Sequence, residues 1–247
     1  MDGIGDIVMI DSSIPKPDEN ISADDTMYEG NTTHYFSVGR SALKAIIQIL
    51  NVAGQETIRS VLDLPCGHGR VLRYLRAKFP HASITACDID RPGVDFCVNT
   101  FNAAGLYSQK NIAQVDLGGK YDLIWCGSLL THLDKGMWGI FIESFSQHLA
   151  PHGILVFTTH GRSCIRLLEE HQTYGLNEKK VPALLIHYKE TGFGYANYDH
   201  ESEYGISMSS PAWVLAELQR HPDLKIIFCL EAGWDDHQDV IACMRRA

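Results

Sequence analysis

No stretch of the 247 residues approaches the roughly 20 apolar residues that a helix needs to cross a bilayer. The N-terminus lacks the basic and apolar regions of a secretion signal. Membrane insertion and export are therefore not expected. No block of Lys and Arg occurs, which argues against a nucleic-acid polymer as partner. The seven cysteines form no C-x-x-C pair. Their number is odd, and Cys66, Cys87, Cys126, Cys229 and Cys243 lie in or beside apolar runs. Reduced thiols in a cytoplasmic protein are the expectation. The twelve histidines are scattered and are read as holding no metal; a cluster of His132, His160 and His200 could arise only through folding. No G-x-S-x-G elbow is present, which disfavours an α/β-hydrolase. There is also no internal repeat and no low-complexity segment.

The composition is ordinary for a globular chain, 45% hydrophobic and 21% charged. The net charge of −9 is concentrated at one end: residues 1–30 hold eight acids and one base, Lys16. With Pro15 and Pro17 in the same region, residues 1–27 read as a flexible acidic tail. Residues 28–247 read as one domain. The acidity says little about a substrate.

The most informative stretch is Val61-Leu62-Asp63-Leu64-Pro65-Cys66-Gly67-His68-Gly69-Arg70. An apolar strand carries an acid and breaks into a turn with two glycines. A helix follows, with Leu72, Leu75 and Phe79 on one face and Arg70, Arg73 and Arg76 on another. Glycine lets the main chain turn and approach a ligand, and the free N–H groups of a helix start favour anions. A dinucleotide fingerprint needs a third glycine, but Leu72 stands there. Asp63 would also repel a pyrophosphate and suits an ammonium group. An NAD-dependent oxidoreductase is thus the weaker alternative.

Strand and helix patterns then alternate, the mark of a parallel α/β sheet. Residues 82–87 read as a second strand ending in Asp88-Ile89. Asp88 lies 19 residues beyond Gly69, near the distance at which an acid accepts from ribose hydroxyls. Residues 112–115 read as a third strand leading to Asp116-Leu117, and 121–126 as a fourth. The following loop, Gly127 to Leu133, offers Ser128, Leu129 and His132 at the carboxyl edge. Residues 153–159 read as a fifth strand, with His160 at its end. Alternation stops over 162–210, which reads as an insertion. The last two strands, 224–230 and 240–244, suit an antiparallel pair.

Asp63, Gly67 and Gly69 resemble motif I of the class I S-adenosylmethionine (SAM)-dependent methyltransferases, roughly hhD-h-x-x-G-x-G. The resemblance extends from about Tyr35 to the C-terminus. It implies a three-layer Rossmann-like sandwich whose seven-stranded sheet is mostly parallel with an antiparallel last strand. The implied cofactor is SAM, contacted by Asp63, Pro65, Cys66, Gly67, Gly69, Asp88, Ile89, Asp116, Leu117 and Ser128. Asp88 would take the ribose, Ile89 the adenine face and Asp116 the adenine amino group. Tyr35 and Arg40 are further candidates for cofactor or acceptor. The implied reaction is in-line methyl transfer to a small or medium organic acceptor, at O or N. His132 and His160 are the candidate bases, and Tyr195, Tyr198 and His200 the candidate acceptor contacts within the insertion. The stretch Gly233-Trp234-Asp235-Asp236-His237-Gln238-Asp239 resembles small methyltransferases encoded beside carbohydrate-modifying enzymes, which implies a carbohydrate-related acceptor. A non-catalytic SAM-binding module is the other alternative.

Overall fold

The structure, a computed structural model, describes residues 14–201 and 203–247. In chain order the elements are α1 (Thr32–Ala53), β1 (Ser60–Asp63), α2 (Leu72–Lys78), β2 (Ser83–Asp88), α3 (Arg91–Phe101), β3 (Ala104–Tyr107), β4 (Tyr121–Cys126), α4 (Lys135–His148), β5 (Leu149–Thr159), α5 (Arg162–Glu169), α6 (Val181–Thr191), β6 (Phe193–Asn197), β7 (Gly205–Ser209), α7 (Pro211–Leu218), β8 (Leu224–Trp234) and β9 (Gln238–Arg245). Seven strands form one sheet in the order β3-β2-β1-β4-β5-β9-β8. Neighbours from β3 to β5 are parallel, and β9 runs antiparallel to both β5 and β8. This is the expected mostly parallel sheet with an antiparallel last strand.

Apolar residues on both sides of each strand decide the layering. In β4, Leu123 and Trp125 face one side while Ile124 and Cys126 face the other. Ile154 and Val156 of β5 oppose Leu155 and Phe157 in the same way. A sheet apolar on both faces must be covered twice. The first face carries α1, α2 and α3; the second carries α4 and α7. In α1, Tyr35, Val38, Ala42, Ile46 and Ile49 recur at helical spacing and are buried. Each of the larger ones contributes about 1.5–3 kcal/mol by burial. Asn31 caps the helix by accepting from the His34 amide at 3.1 Å, and Gly54 ends it in the left-handed region. No helix among the described residues is long and apolar enough to cross a membrane.

Strand order reverses between β1 and β4, so their carboxyl ends splay apart into a crevice. Asp63 closes β1 beside Ala86 of β2 and Trp125 of β4. Asp122, at the opposite end of β4, takes the Arg59 and Ser60 amides at 2.7 and 3.1 Å and is structural.

Three expectations change. The third strand is Ala104–Tyr107, not 112–115, which forms a short 3-10 turn. The insertion also contains a separate two-stranded sheet, β6 with β7, over its own small core. Of residues 1–27, those before Ile14 lie outside the described residues, but Asp18, Asn20 and Asp25 are engaged rather than free. Arg73, read as part of a polar helix face, is buried and donates to the Asp18 and Asn20 carbonyls at 3.1 and 2.8 Å. The buried Asp25 carboxylate accepts from the Tyr35 hydroxyl at 2.6 Å. Tyr35 is therefore committed to packing, and Arg40 is exposed.

Replacing Arg73 with Met should release this N-terminal strap. The loss of charged hydrogen bonds should cost about 2–4 kcal/mol. A glutamate-specific protease should then cleave after Glu19 faster than in the parent chain; equal cleavage rates and equal melting temperatures would contradict the anchoring role.

Candidate active site

Main-chain hydrogen bonds shape the loop after β1. The Leu64 amide donates to Trp125, and the Cys66 amide to Cys87, each at 3.0 Å, so the loop is tied to both neighbouring strands. Gly67 and Gly69 have φ of +48° and +77°, which favours glycine at both places. Their surroundings differ. A Cβ at Gly67 would meet nothing within 4 Å, whereas one at Gly69 would stand 2.4 Å from the Phe101 ring. Gly67 faces open space where a ligand can approach; Gly69 lets α3 close against the turn.

Asp88 locks that turn from β2. One carboxylate oxygen takes the Gly67 amide at 2.7 Å and the other the Asp90 amide at 3.0 Å. Each oxygen keeps a lone pair for a further donor. Burial raises the Asp88 pKa, against the pull of these amides. Asp88, Pro65 and the exposed Ile89 line a cavity of about 580 Å³ with Ser108, Ile112, Leu129 and Tyr204. Behind it, Asp63 is 1% exposed, and neither carboxylate oxygen has a hydrogen-bond partner. Its pKa stands well above the ordinary carboxylate value, first through burial and then through the negative charge of Asp88.

A second, polar cavity of about 280 Å³ adjoins along residues 128–133. Ser128 and His132 line the polar cavity, Leu129 and Leu133 the larger one. Tyr204 stacks on His132 with ring centres 4.7 Å apart and so joins the two. Ser128 sits at φ +60°, held by a closed ring of hydrogen bonds. Its amide donates to Thr158 Oγ1 at 2.8 Å, Thr158 donates to Gln238 Oε1 at 2.6 Å, and Gln238 Nε2 donates to Ser128 Oγ at 3.1 Å.

His132 Nδ1 lies 2.8 Å from the Gly205 carbonyl. A carbonyl only accepts, so Nδ1 carries the proton and Nε2 presents a lone pair. Burial lowers the His132 pKa, which keeps the ring neutral near pH 7. His160, 6.4 Å away between ring centres, is 3% exposed, and burial brings its pKa down to about 3. Arg70 also lines the polar cavity; its guanidinium makes no hydrogen bond among the described residues.

The structure thus brings together Asp63, Pro65, Cys66, Gly67, Gly69, Asp88, Ile89, Ser128, His132, His160 and Tyr198 around the β1–β4 crevice. Four expected residues stand apart. Asp116 is exposed, its carboxylate caps the Gly118 amide at 2.9 Å, and it lines neither cavity. Leu117 is buried in the core, where its carbonyl accepts from Tyr121. Tyr195 donates to Asn197 at 2.5 Å and lines neither cavity. His200 is exposed and lines neither. Residues overlooked in the sequence are Arg70, Tyr174, His237 and Gln238 in the polar cavity and Ser108 to Ile112 in the larger one. The Gly233–Asp239 stretch had marked two of them, with no indication of what they would touch.

Residues 62–155 match a family profile described as a methyltransferase domain. A malonyl-[acyl-carrier protein] O-methyltransferase of Acetivibrio thermocellus is 24% identical over 152 residues, 61% of this chain and 52% of that protein. The chain spans about half the length of the two malonyl-[acyl-carrier protein] O-methyltransferases it matches, and 28% of a further relative. Among solved structures, a SAM-dependent methyltransferase from Clostridium acetobutylicum superposes with a TM-score of 0.58 at 14% identity, covering 90% of this chain and 97% of that one. N-methyltransferase NodS from Bradyrhizobium japonicum, in complex with S-adenosylhomocysteine (SAH), gives 0.55 at 14% identity, covering 93% and 95%. At this identity the two structures speak for the fold alone. Over residues 62–155 the profile marks a methyltransferase domain, and the fold is the one that solved SAM-dependent methyltransferases share.

Proposed function

We propose that the chain transfers a methyl group from SAM to a small or medium organic acceptor whose oxygen or nitrogen must lose a proton. The observation that carries this reading is the junction of the two cavities, where His132 turns a neutral nitrogen toward the polar side. The residues present fit SAM. Asp63 is a buried carboxylate with no partner, and an ammonium group would satisfy it. Asp88 has lone pairs free for two ribose hydroxyls. Arg70 offers a guanidinium without a hydrogen bond to a carboxylate. A pyrophosphate would instead meet two acids.

Bound there, SAM supplies a methyl group on a sulfonium that is already an activated leaving group. The chain's own work is to orient the acceptor, exclude water and receive a proton. His132 Nε2 is the receiving atom, with Tyr204 stacked on the ring and the Gly205 carbonyl fixing its tautomer. Tyr198, its hydroxyl 3.4 Å from His132 Nδ1, lines the acceptor side. The malonyl acceptor in the relatives' name is a carboxylate and needs no such base; the buried neutral histidine favours a hydroxyl or an ammonium here. The stretch behind the carbohydrate expectation contributes Gln238, which braces Ser128 and Thr158.

Asp88→Asn should weaken SAH binding by about tenfold or more with little change in melting temperature; calorimetry showing unchanged affinity would place the ribose elsewhere. Asp63 should give a proton signature. Its pKa is raised in the free chain, and an ammonium partner would lower it. Binding should therefore release protons, and affinity should climb with pH through the free-chain pKa and then level off. Calorimetry in two buffers of different ionisation heat measures this, and Asp63→Asn should abolish the release. With an acceptor found by screening, His132→Ala should lower kcat about 10²–10⁴-fold while SAH affinity stays within a few-fold; an unaltered kcat would remove His132 from the chemistry.

A further inference from the structure

His160, Cys164 and His237 come from three parts of the chain: the end of β5, the first turn of α5 and the turn between β8 and β9. One possible ligand atom from each lies within 4.8 Å of the other two. We propose that this triad binds a single divalent ion of the zinc class at the wall of the polar cavity.

Hydrogen bonding alone leaves the cluster unsatisfied. The His160 ring is 3% exposed, and its Nδ1 is buried with no partner. A buried imidazole nitrogen with no partner is costly, and a bound cation would satisfy it. Tyr174 contacts His237 Nε2 at 2.9 Å but leaves His160 Nδ1 unpaired. Cys164 is fully buried, and its thiol reaches the His237 carbonyl at 3.4 Å. The fold presses these segments together: a Cβ at Gly161 would fall 1.9 Å from the Asp239 carboxylate, so the β5–α5 junction can lie this close to β9 only with glycine there.

The donors select the ion. Two imidazoles and one thiolate suit borderline-soft zinc better than magnesium or calcium, which take oxygen ligands. Three protein ligands leave a coordination position open. His160, His237 and Tyr174 all line the cavity, so that position faces the space assigned to the acceptor. The sequence reading sets His160 beside His132 and His200 and does not weigh Cys164, four residues further on.

The test uses metal-free full-length chain titrated with Co²⁺ and followed by absorption, which reads the site whether or not methyl transfer occurs. One equivalent should bind with a thiolate-to-cobalt charge-transfer band, and Zn²⁺ should displace it. Cys164→Ser should lose that band. Cys164→Ser and His237→Ala should each weaken binding by more than the about 10–100-fold typical of changing a residue behind a ligand. Cys229→Ser, which removes the one exposed thiol, should keep both band and affinity. Circular dichroism and SAH calorimetry establish that each variant is folded. The proposal is overturned if the folded parent chain takes up no Co²⁺, if the band survives in Cys164→Ser, or if either ligand variant keeps the parent affinity.

Discussion

A buried guanidinium must have its donors filled, because an unpaired charge in the interior costs several kcal/mol. Arg73 meets that demand with the carbonyls of the glycine turn. Its Nε donates to Gly69 at 3.0 Å, and one terminal nitrogen reaches the His68 carbonyl at 3.5 Å and the Tyr35 hydroxyl at 3.2 Å. Tyr35, Phe36 and Phe101 present their rings to it within 5.1–5.4 Å. Carbonyls drawn toward Arg73 leave the Gly67 amide free to meet Asp88. The shape of the cofactor loop, the entry of α2 and the course of the N-terminal strap all hang on this one side chain.

The site divides its charges by depth. Asp63 and Asp88 are both buried at the β1–β2 edge; burial makes each harder to ionise, and the charge of Asp88 adds to the effect at Asp63. A cationic group relieves this, which explains why the motif tolerates an acid that a dinucleotide site would not. Across the crevice, polarity is carried by neutral groups: Ser128, Thr158 and Gln238 interlock through hydrogen bonds anchored on β5 and β9, while the Gly205 carbonyl of β7 holds His132. The antiparallel strand thus does more than finish the sheet, since it delivers Gln238 and His237 to a pocket that the parallel strands alone could not line.

What could be seen in the sequence follows from how each residue announces itself. Buried strands such as β4 and β5 are continuous apolar runs, and Asp88 is fixed by its distance from the turn. β3 is an edge strand with largely exposed side chains, so no periodicity marks it, and the apolar 112–115 took its place. Asp116 therefore follows a 3-10 turn and not a strand, while its adenine role is what the family resemblance implies. Arg70, Arg73 and Arg76 look like a solvated helix face, yet Arg76 donates to four carbonyls and Arg73 is in the core. Such burial depends on partners far along the chain, as does the meeting of His160 with His237. Short-range patterns carry no record of either.

The insertion between β5 and β8 keeps its own core of seven buried residues, among them Leu168, Leu184, Ile206 and Met208, apart from the two clusters that flank the main sheet. Cooperative units of this kind open at a lower free energy than the domain that bears them. The wall that Tyr174, Tyr198 and Ile206 give the polar cavity therefore belongs to a packing unit distinct from the main sheet. That separation lets the insertion vary in sequence without taxing the packing of the sheet.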